Sequence, residues 1–324
     1  MSVRDEVLFQ LEQHRGEFLS GQELAQKLFV SRNAVWKAVA SLREQGYGVE
    51  AVTNRGYRLR ADEGHFSAQS VRRFLGDEDA WFSVEAVETV TSTNTVLKER
   101  AAAGAPEGTV LIAARQTDGR GRQGRSFSSP RDTGLYVSIL LRPAMRAEQA
   151  LFLTTAVAVA VAEAVEEVSG KQTGIKWVND IWIGERKICG ILTEASFDLE
   201  GGGLEYAVVG WGINLTEPAG GFPEELRGIA GAVFEKAPDP ETKSRLAAGV
   251  LRRFKYYYET LADKTFLQGY RDRSILIGRA VSILGAPERE AFVLGIDDDC
   301  RLHVRLSDGQ ERYLSSGEVR VRPK

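Results

Sequence analysis

Gln116 to Arg125 reads Q-T-D-G-R-G-R-Q-G-R, with Gly119, Gly121 and Gly124 set between Arg120, Arg122 and Arg125. Glycines admit a ligand close to the backbone, and guanidinium groups supply fixed positive charge with forked donors. A segment of this kind suits an anionic, phosphorylated ligand. The glycines formally satisfy G-x-G-x-x-G, but a dinucleotide site needs a helix to begin there, so that its N-terminus meets the pyrophosphate. Ser126 to Pro130 follow, then a strand pattern, and no G-K-[ST] ending is present. The Rossmann and P-loop readings therefore both fail on context. The plain alternative is a solvated arginine-rich loop, and the interleaving of arginine with glycine favours a ligand over it.

Lys187 stands between Arg186 and the apolar run Ile188, Cys189, Gly190, Ile191, Leu192. A lysine on a strand is most often a surface charge, but this one sits at the mouth of a core element. A fixed ammonium there stabilises developing negative charge electrostatically, without proton transfer. Lys176 to Asp180 reads K-W-V-N-D. Lys176 suits a phosphate, while Asn179 and Asp180 suit nucleotide or magnesium ligands; the bland alternative is a turn anchored by Trp177. Thr91-Ser92-Thr93-Asn94 opens a predicted helix, where an N-cap is the common role and presentation of N–H groups and hydroxyls to a polar ligand the other. Gly210 and Gly212, in G-W-G-I-N ending at Asn214, either allow close approach of a ligand or simply pack a buried strand. His14, His65 and His303 are scattered and pair with no cysteine or carboxylate cluster, so they are assigned no metal or catalytic role.

The elements that must position these residues follow from periodicity. Val3, Val7, Leu8 and Leu11 mark one face of a first helix, and Ser20 with Glu23 forms a capping box for a second. Ser31 caps a third, with Ala34, Val35, Ala38, Val39 and Leu42 inward. Strand-like alternation then flanks the turn Thr53-Asn54-Arg55-Gly56, which completes a winged helix-turn-helix. Arg32, Asn33, Trp36 and Lys37 lie off the buried stripe of the third helix and, with Ser31 at its start and Arg55 and Arg58 on the wing, form the expected DNA-binding set. A connector with a short helix near Ser67 to Leu75 leads to a mixed sheet with a long apolar helix from about Ala147 to Val168. Four short strands between Ala280 and Leu314, separated by turn residues, predict a small β-barrel of the SH3-like type. The fold class is α+β.

Net charge is -3 and the pI about 5.9, which argues against a surface that grips nucleic acid everywhere. Ser31 to Arg60 carries six positive and two acidic side chains, a local charge of +4, so DNA contact is confined to that stretch. Cys189 and Cys300 give neither zinc spacing nor a disulfide framework. No signal-peptide core is evident, and the most apolar run, Ala150 to Ala162, falls short of the ~20 residues that span a bilayer. A cytoplasmic protein without membrane contact is expected.

The winged helix-turn-helix pattern, the Gly/Arg loop, K-W-V-N-D and E-R-K-I-C-G (Glu185 to Gly190) together resemble the bifunctional biotin–protein ligases that double as biotin operon repressors, over nearly the whole chain. The resemblance implies a winged helix-turn-helix over 1–63, a biotin–lipoate-ligase-type catalytic domain over 64–271 and the small barrel over 272–324. It implies that Ser92, Thr93 and Asn94 bind the biotin ureido ring with Gln116, and that Arg120, Gly121 and Arg122 match the family's R-G-R and close over biotin and the adenylate. Lys187 matches the lysine that contacts both the biotin carboxyl group and the phosphate, and Arg122 is its companion in catalysis. Phe127 holds the place of an aromatic over the adenine. Lys176, Asn179 and Asp180 match K-W-P-N-D with Val178 in place of proline, and serve ATP together with Asn214; Asp180 is the candidate Mg2+ ligand. ATP and biotin are the implied substrates. The implied partners are the biotin carboxyl carrier domain of a biotin-dependent carboxylase, operator DNA, and a second copy in a ligand-promoted homodimer. The rival readings are a repressor that senses biotin without catalysis, a lipoate-type acyl-adenylate ligase, and a ligase whose N-terminal domain no longer binds an operator.

Overall fold

A computed structural model describes residues 2–44, 47–60, 66–197, 203–284 and 289–321. His65 and the start of the expected connector, Ala61, lie outside the described residues. The chain divides into two compact units, Met1–Val84 with Pro238–Gly249, and Glu85–Ala237 with Val250–Lys324.

In the smaller unit, α1 (Val3–Gln13), α2 (Gly21–Lys27) and α3 (Arg32–Glu44) precede a hairpin of β1 (Val49–Val52) and β2 (Gly56–Leu59). Ser2 with Asp5, and Ser20 with Glu23, form reciprocal capping boxes that satisfy the open N–H groups at two helix starts. Val7, Leu8, Leu11, Leu24, Val35, Val39, Leu42 and Leu59 meet in one core, which fixes the helix-turn-helix against its wing. Val3 departs from expectation: it is 37% exposed and takes no part in that core. Leu19 exchanges backbone hydrogen bonds with Tyr57 (2.9 and 2.8 Å), adding a third strand segment to the wing. α4 (Ala68–Leu75) is the expected short helix, and Ser67 caps it.

The larger unit is organised on a seven-stranded sheet. Its elements are β3 (Ser83–Val90), α5 (Thr93–Ala102), β4 (Thr109–Gln116), β5 (Gly134–Leu141), α6 (Ala150–Ser169), β6 (Gly174–Lys176), β7 (Asp180–Ile183), β8 (Arg186–Phe197) and β9 (Leu204–Asn214), with strand order β3-β4-β5-β9-β8-β7-β6. From β4 to β6 every neighbouring pair is antiparallel, so the expected mixed sheet is corrected over that stretch. Register aligns Tyr136 with Gly212 and Ser138 with Gly210, and across the next pair Gly212 with Gly190 and Gly210 with Leu192. Side chains alternate across a sheet, so these residues share one face. On that face α5 packs through Leu97 and Ala101 against Leu111, Leu140 and Val208. The other face presents Ile191 and Thr193 towards α6, whose Thr154 hydroxyl lies 2.7 Å from that of Thr193. α6 is apolar around almost its whole circumference because it is buried around almost its whole circumference. Among the described residues no helix is long and apolar enough to cross a membrane.

After α7 (Pro240–Glu259) and α8 (Leu267–Asp272) come β10 (Ala280–Leu284), β11 (Arg289–Ile296), β12 (Leu302–Leu306), β13 (Glu311–Leu314) and β14 (Glu318–Val321). They form the expected small β domain, an antiparallel sheet ordered β13-β12-β11-β10-β14. β14 was not predicted, because S-G-E-V-R-V offers too little apolar alternation. Trp177 Nε1 donates to the Cys300 carbonyl at 2.9 Å and Tyr270 Oη to the Val178 carbonyl at 3.0 Å, which anchors the K-W-V-N-D turn from behind.

One ion pair of this unit makes its stability depend on pH. Burial would raise the Glu166 carboxyl, but hydrogen bonds from Arg273 (2.8 Å) and Thr173 (2.8 Å) outweigh it and hold the group below the usual carboxylate range. A depressed folded pKa contributes stability above the unfolded value of about 4.3 and loses it as pH falls through the folded one. Glu166→Gln should therefore melt about 2–4 °C lower at neutral pH, given up to ~1 kcal/mol for such a pair. Thermal melts across pH should show that gap closing below about pH 4; a gap that persists in acid would assign the loss to packing instead.

Candidate functional site

Three glycines make the floor of the site. A Cβ on Gly212 would lie 2.4 Å from the Phe127 ring, and one on Gly190 would meet the same ring at 3.2 Å and Lys187 Nζ at 3.3 Å. A Cβ on Gly210 would lie 2.0 Å from Asn94 Oδ1. Side chains from the Gly/Arg loop, β8 and α5 thus converge on one bare strip of sheet. Phe127 also meets Tyr136 edge to face at 6.5 Å. It rests on the glycine floor.

The loop itself is folded back as a small hairpin. Gly121 N–H donates to the Arg125 carbonyl (2.7 Å) and Phe127 N–H to the Gly119 carbonyl (2.7 Å), with a short 3-10 turn from Arg122 to Gly124 at its tip. Gly119 has no room for a side chain, since a Cβ there would lie 2.3 Å from the Phe127 carbonyl oxygen. Arg120 and Arg125 are exposed, whereas Arg122 turns inward and donates to Asn179 Oδ1 at 3.0 Å. Asn179 is held in turn by β8, its Nδ2 donating to the Ile191 carbonyl at 2.8 Å. Arg122 also reaches an open groove of about 1310 Å³ lined by Ile191, Thr193, Lys264 and Arg301. That groove belongs to the other face of the sheet, and the glycine floor takes no part in it.

Lys187 Nζ lies 2.7 Å from Asp180 Oδ1, and Asp180 stands opposite both Lys176 and Gly190 in register. The lysine's own backbone is clamped: its N–H donates to the Ile229 carbonyl and its carbonyl accepts from Gly231 N–H, both at 2.8 Å. Asn214 Nδ2 donates to the Gly231 carbonyl at 3.0 Å, so this side chain braces the clamp. Lys176 lies over the Trp182 ring, 5.6 Å from its centroid, and Trp182 Nε1 has no hydrogen-bond partner among the described residues. Cys189 points into the core, where burial pushes its thiol well above the ordinary range and leaves it inert.

At the start of α5, Ser92 occupies the N-cap position, yet its side chain makes no capping bond. The capping alternative is thus not seen at Ser92, and the Thr93 hydroxyl serves other contacts. Thr93 N–H and Oγ1 approach Gln116 Oε1 at 2.8 and 3.1 Å, and Gln116 Nε2 donates to Ser129 Oγ at 2.8 Å. Ser138, Ser129, Lys98 and Glu194 were missed as parts of this network. Ser138 had a signal, being the lone polar residue in the apolar run G-L-Y-V-S-I-L-L; Lys98 and Glu194 had none, since they meet only in three dimensions.

On the smaller unit, Ser31 Oγ accepts from Ala34 N–H at 3.1 Å and so caps α3. Arg32, Asn33, Trp36 and Lys37 are exposed on that helix. On the wing, Arg55 and Arg58 both stack over Phe18, at 4.2 and 4.5 Å, and Arg58 is also paired with Glu50. Arg58 would therefore have to share its charge between Glu50 and any phosphate.

Comparison with known proteins places these features together. Residues 86–214 match the model of the Biotin/lipoate A/B protein ligase family, residues 3–58 an HTH domain, and residues 276–322 the Biotin protein ligase C terminal domain. The chain is 34% identical over 323 residues to the Bifunctional ligase/repressor BirA of Bacillus subtilis, covering 97% of this chain and 98% of that protein. It is 29% identical to the protein of the same name from Escherichia coli K12, over 95% of this chain and 94% of the relative. The solved Biotin protein ligase from Aquifex aeolicus in complex with biotin and ATP superposes with a TM-score of 0.63 at 28% identity, covering 75% of this chain and 99% of that one.

Proposed function

Because this chain belongs to the family of bifunctional biotin–protein ligases and repressors, we propose that the glycine floor and the Gly/Arg loop hold biotin and its adenylate. The protein is an ATP-dependent biotin–protein ligase and a biotin-responsive repressor. A carboxylate oxygen of biotin attacks the α-phosphorus of ATP, the bond to the bridging oxygen breaks, and pyrophosphate leaves. A neutral lysine amine of the carrier protein then attacks the acyl carbon of biotinyl-5'-AMP, AMP departs, and the amide forms with loss of a proton.

The residue roles proposed here follow from charge and reach. Lys187 and Arg122 neutralise the repulsion between carboxylate and phosphate and take up the charge that grows on the phosphoryl oxygens. Ser92, Thr93, Asn94 and Gln116 hold the ureido ring, and Arg120 and Gly121 close over it. Lys176, Asn179, Asn214 and Phe127 serve the nucleotide. Among the described residues no cluster of three or more His, Cys, Asp or Glu could cage a metal, and Asp180 is already paired with Lys187. A magnesium ion bound with the triphosphate would be held by Asp180, whose carboxylate also faces Lys187, and would neutralise phosphate charge. The observation that carries the reading is the convergence of Lys187, Asp180 and Phe127 on the Gly190–Gly212 strip.

The proposed division of labour follows residues 1–63 for DNA, 64–271 for catalysis and 272–324 as an accessory β domain. The carrier is proposed to be the biotin carboxyl carrier domain of a biotin-dependent carboxylase, and the adenylate-bound form to pair as a homodimer on its operator. All of this is proposed to take place in the cytoplasm, where ATP, carrier and operator are found together.

Exchange of labelled pyrophosphate into ATP tests the enzyme. It should depend on biotin and fail with lipoate or octanoate. Absence of exchange despite measurable biotin binding would make the protein a non-catalytic sensor. For the repressor half, Arg32→Ala should weaken operator binding at every salt concentration and lower the salt slope by about 1. Biotin-dependent exchange should be unchanged in that variant. A gel-shift titration in which the variant binds like the wild type would remove Arg32 from the interface.

A further inference from the structure

Behind Thr93 runs a line of polar contacts that extends past the residues given a role above. Ser138 Oγ lies 2.7 Å from Thr93 Oγ1 and 2.6 Å from Asn94 Oδ1. Asn94 Nδ2 donates to Glu194 Oε2 at 2.9 Å and to the Leu192 carbonyl at 3.2 Å. Glu194 Oε1 accepts from Lys98 Nζ at 2.5 Å. Thr93, Asn94 and Ser138 are all buried, so none can exchange a partner for water cheaply.

Counting protons fixes the direction of the bonds from Glu194 through Asn94 to Ser138. A carboxylate only accepts, so Asn94 must aim its NH2 at Glu194 and its Oδ1 at Ser138. Oδ1 only accepts, so the single Ser138 proton goes to it. The Thr93 proton is then taken by Ser138 at 2.7 Å or by Gln116 Oε1 at 3.1 Å. In either case Thr93 Oγ1 keeps lone pairs and no proton for a ligand. Burial would raise the Glu194 carboxyl, but Lys98 and Asn94 hold it below the ordinary range, so the anchor of the line stays charged.

We infer that the Lys98–Glu194 pair is a positioning device that makes Thr93 an obligate acceptor, and so selects a ligand that presents a ring N–H. The inference rests on the biotin reading, since the cyclic urea of biotin carries such N–H groups. It gives Lys98 and Glu194 a role in specificity, although neither touches the substrate in this scheme.

Glu194→Gln turns the device against itself. Lys98 claims the oxygen of the introduced amide, which leaves its NH2 facing Asn94. Asn94 then turns its oxygen to that NH2, giving up its bond to the Leu192 carbonyl, and its own NH2 to Ser138, and the Ser138 proton moves to Thr93. Ser138 then takes a Thr93 Oγ1 lone pair that the ring N–H would use and no longer accepts the Thr93 proton, so the pocket becomes a poorer acceptor for biotin. Adding Lys98→Met releases the introduced amide to present its oxygen to Asn94, which restores the original direction.

Calorimetric titration of the full-length protein should use biotin and its analogue lacking the urea ring, the tetrahydrothiophene pentanoate. Glu194→Gln should lose about tenfold or more in biotin affinity with the analogue's affinity unchanged, and the Lys98→Met/Glu194→Gln double variant should recover most of the loss. Wild-type affinity for biotin in the single variant, equal losses for both ligands, or no recovery in the double variant would each overturn the inference while the ligase reading stands. A wild-type protein that does not bind biotin would overturn both.

Discussion

Lys187→Ala is expected to reduce biotin-dependent pyrophosphate exchange about 10²–10³-fold, the range for removing one preorganised charge-stabilising group. The fold should survive the change. The Lys187 backbone is held by Ile229 and Gly231 whatever its side chain, and the partner it abandons, Asp180, is partly open to water. The lysine meets the glycine floor only through its Nζ and neighbouring methylene, near Gly190. Single-turnover adenylation, with a thermal melt alongside, separates the outcomes. Near-wild-type adenylation would remove Lys187 from the chemistry, and a collapsed melting transition would show that the residue is structural.

Gly119→Ala should be nearly as damaging for a different reason. The new methyl would meet a backbone carbonyl at 2.3 Å, and Ser129 Oγ at 2.6 Å, so no rotamer change can relieve it. The hairpin would have to open at its base, breaking the Phe127 N–H bond to the Gly119 carbonyl and displacing both Phe127 and Arg122. A misplacement of about 1 Å can cost on the order of 10²-fold in rate, so exchange should fall about 10–100-fold, with a raised KM for biotin. The clash lies in the loop and not in the sheet core, so the melting temperature should fall by only about 2–10 °C and the protein should stay folded at the assay temperature. Exchange at the wild-type rate would mean that the loop's closed geometry has no part in catalysis.

Much of this was legible in the sequence because its signals are local. The capping box at Ser20, the stripe of α3, and the apolar patterns of β8, β9, β10 and β12 are all decided by neighbours a few residues apart. The Gly/Arg loop could be assigned to a ligand because its composition contradicts simple solvation. What was not legible depends on pairing between distant segments. K-W-V-N-D reads as a turn, and only the register with β8 reveals β6 and β7 on either side of it and puts Asp180 against Lys187. Asn214 reads as a ligand contact from its motif, and only the fold shows that its Nδ2 also donates to the Gly231 carbonyl. Lys98 and Glu194 are ordinary surface charges until the fold brings them together.

The clamp on Lys187 also bears on how this chain can vary. The stretch from Leu226 to Val233 has the look of a permissive surface loop, rich in glycine and bounded by a 3-10 turn. Its Ile229 and Gly231 backbone atoms nevertheless hold the lysine's own peptide, and Asn214 ties it to the end of β9. Length changes in this loop are therefore transmitted to the ammonium group. Insertions and deletions that drift freely elsewhere on the surface would here be purged by selection, and a linker or tag placed in it would be felt as a change in reaction rate long before it was felt as a change in folding.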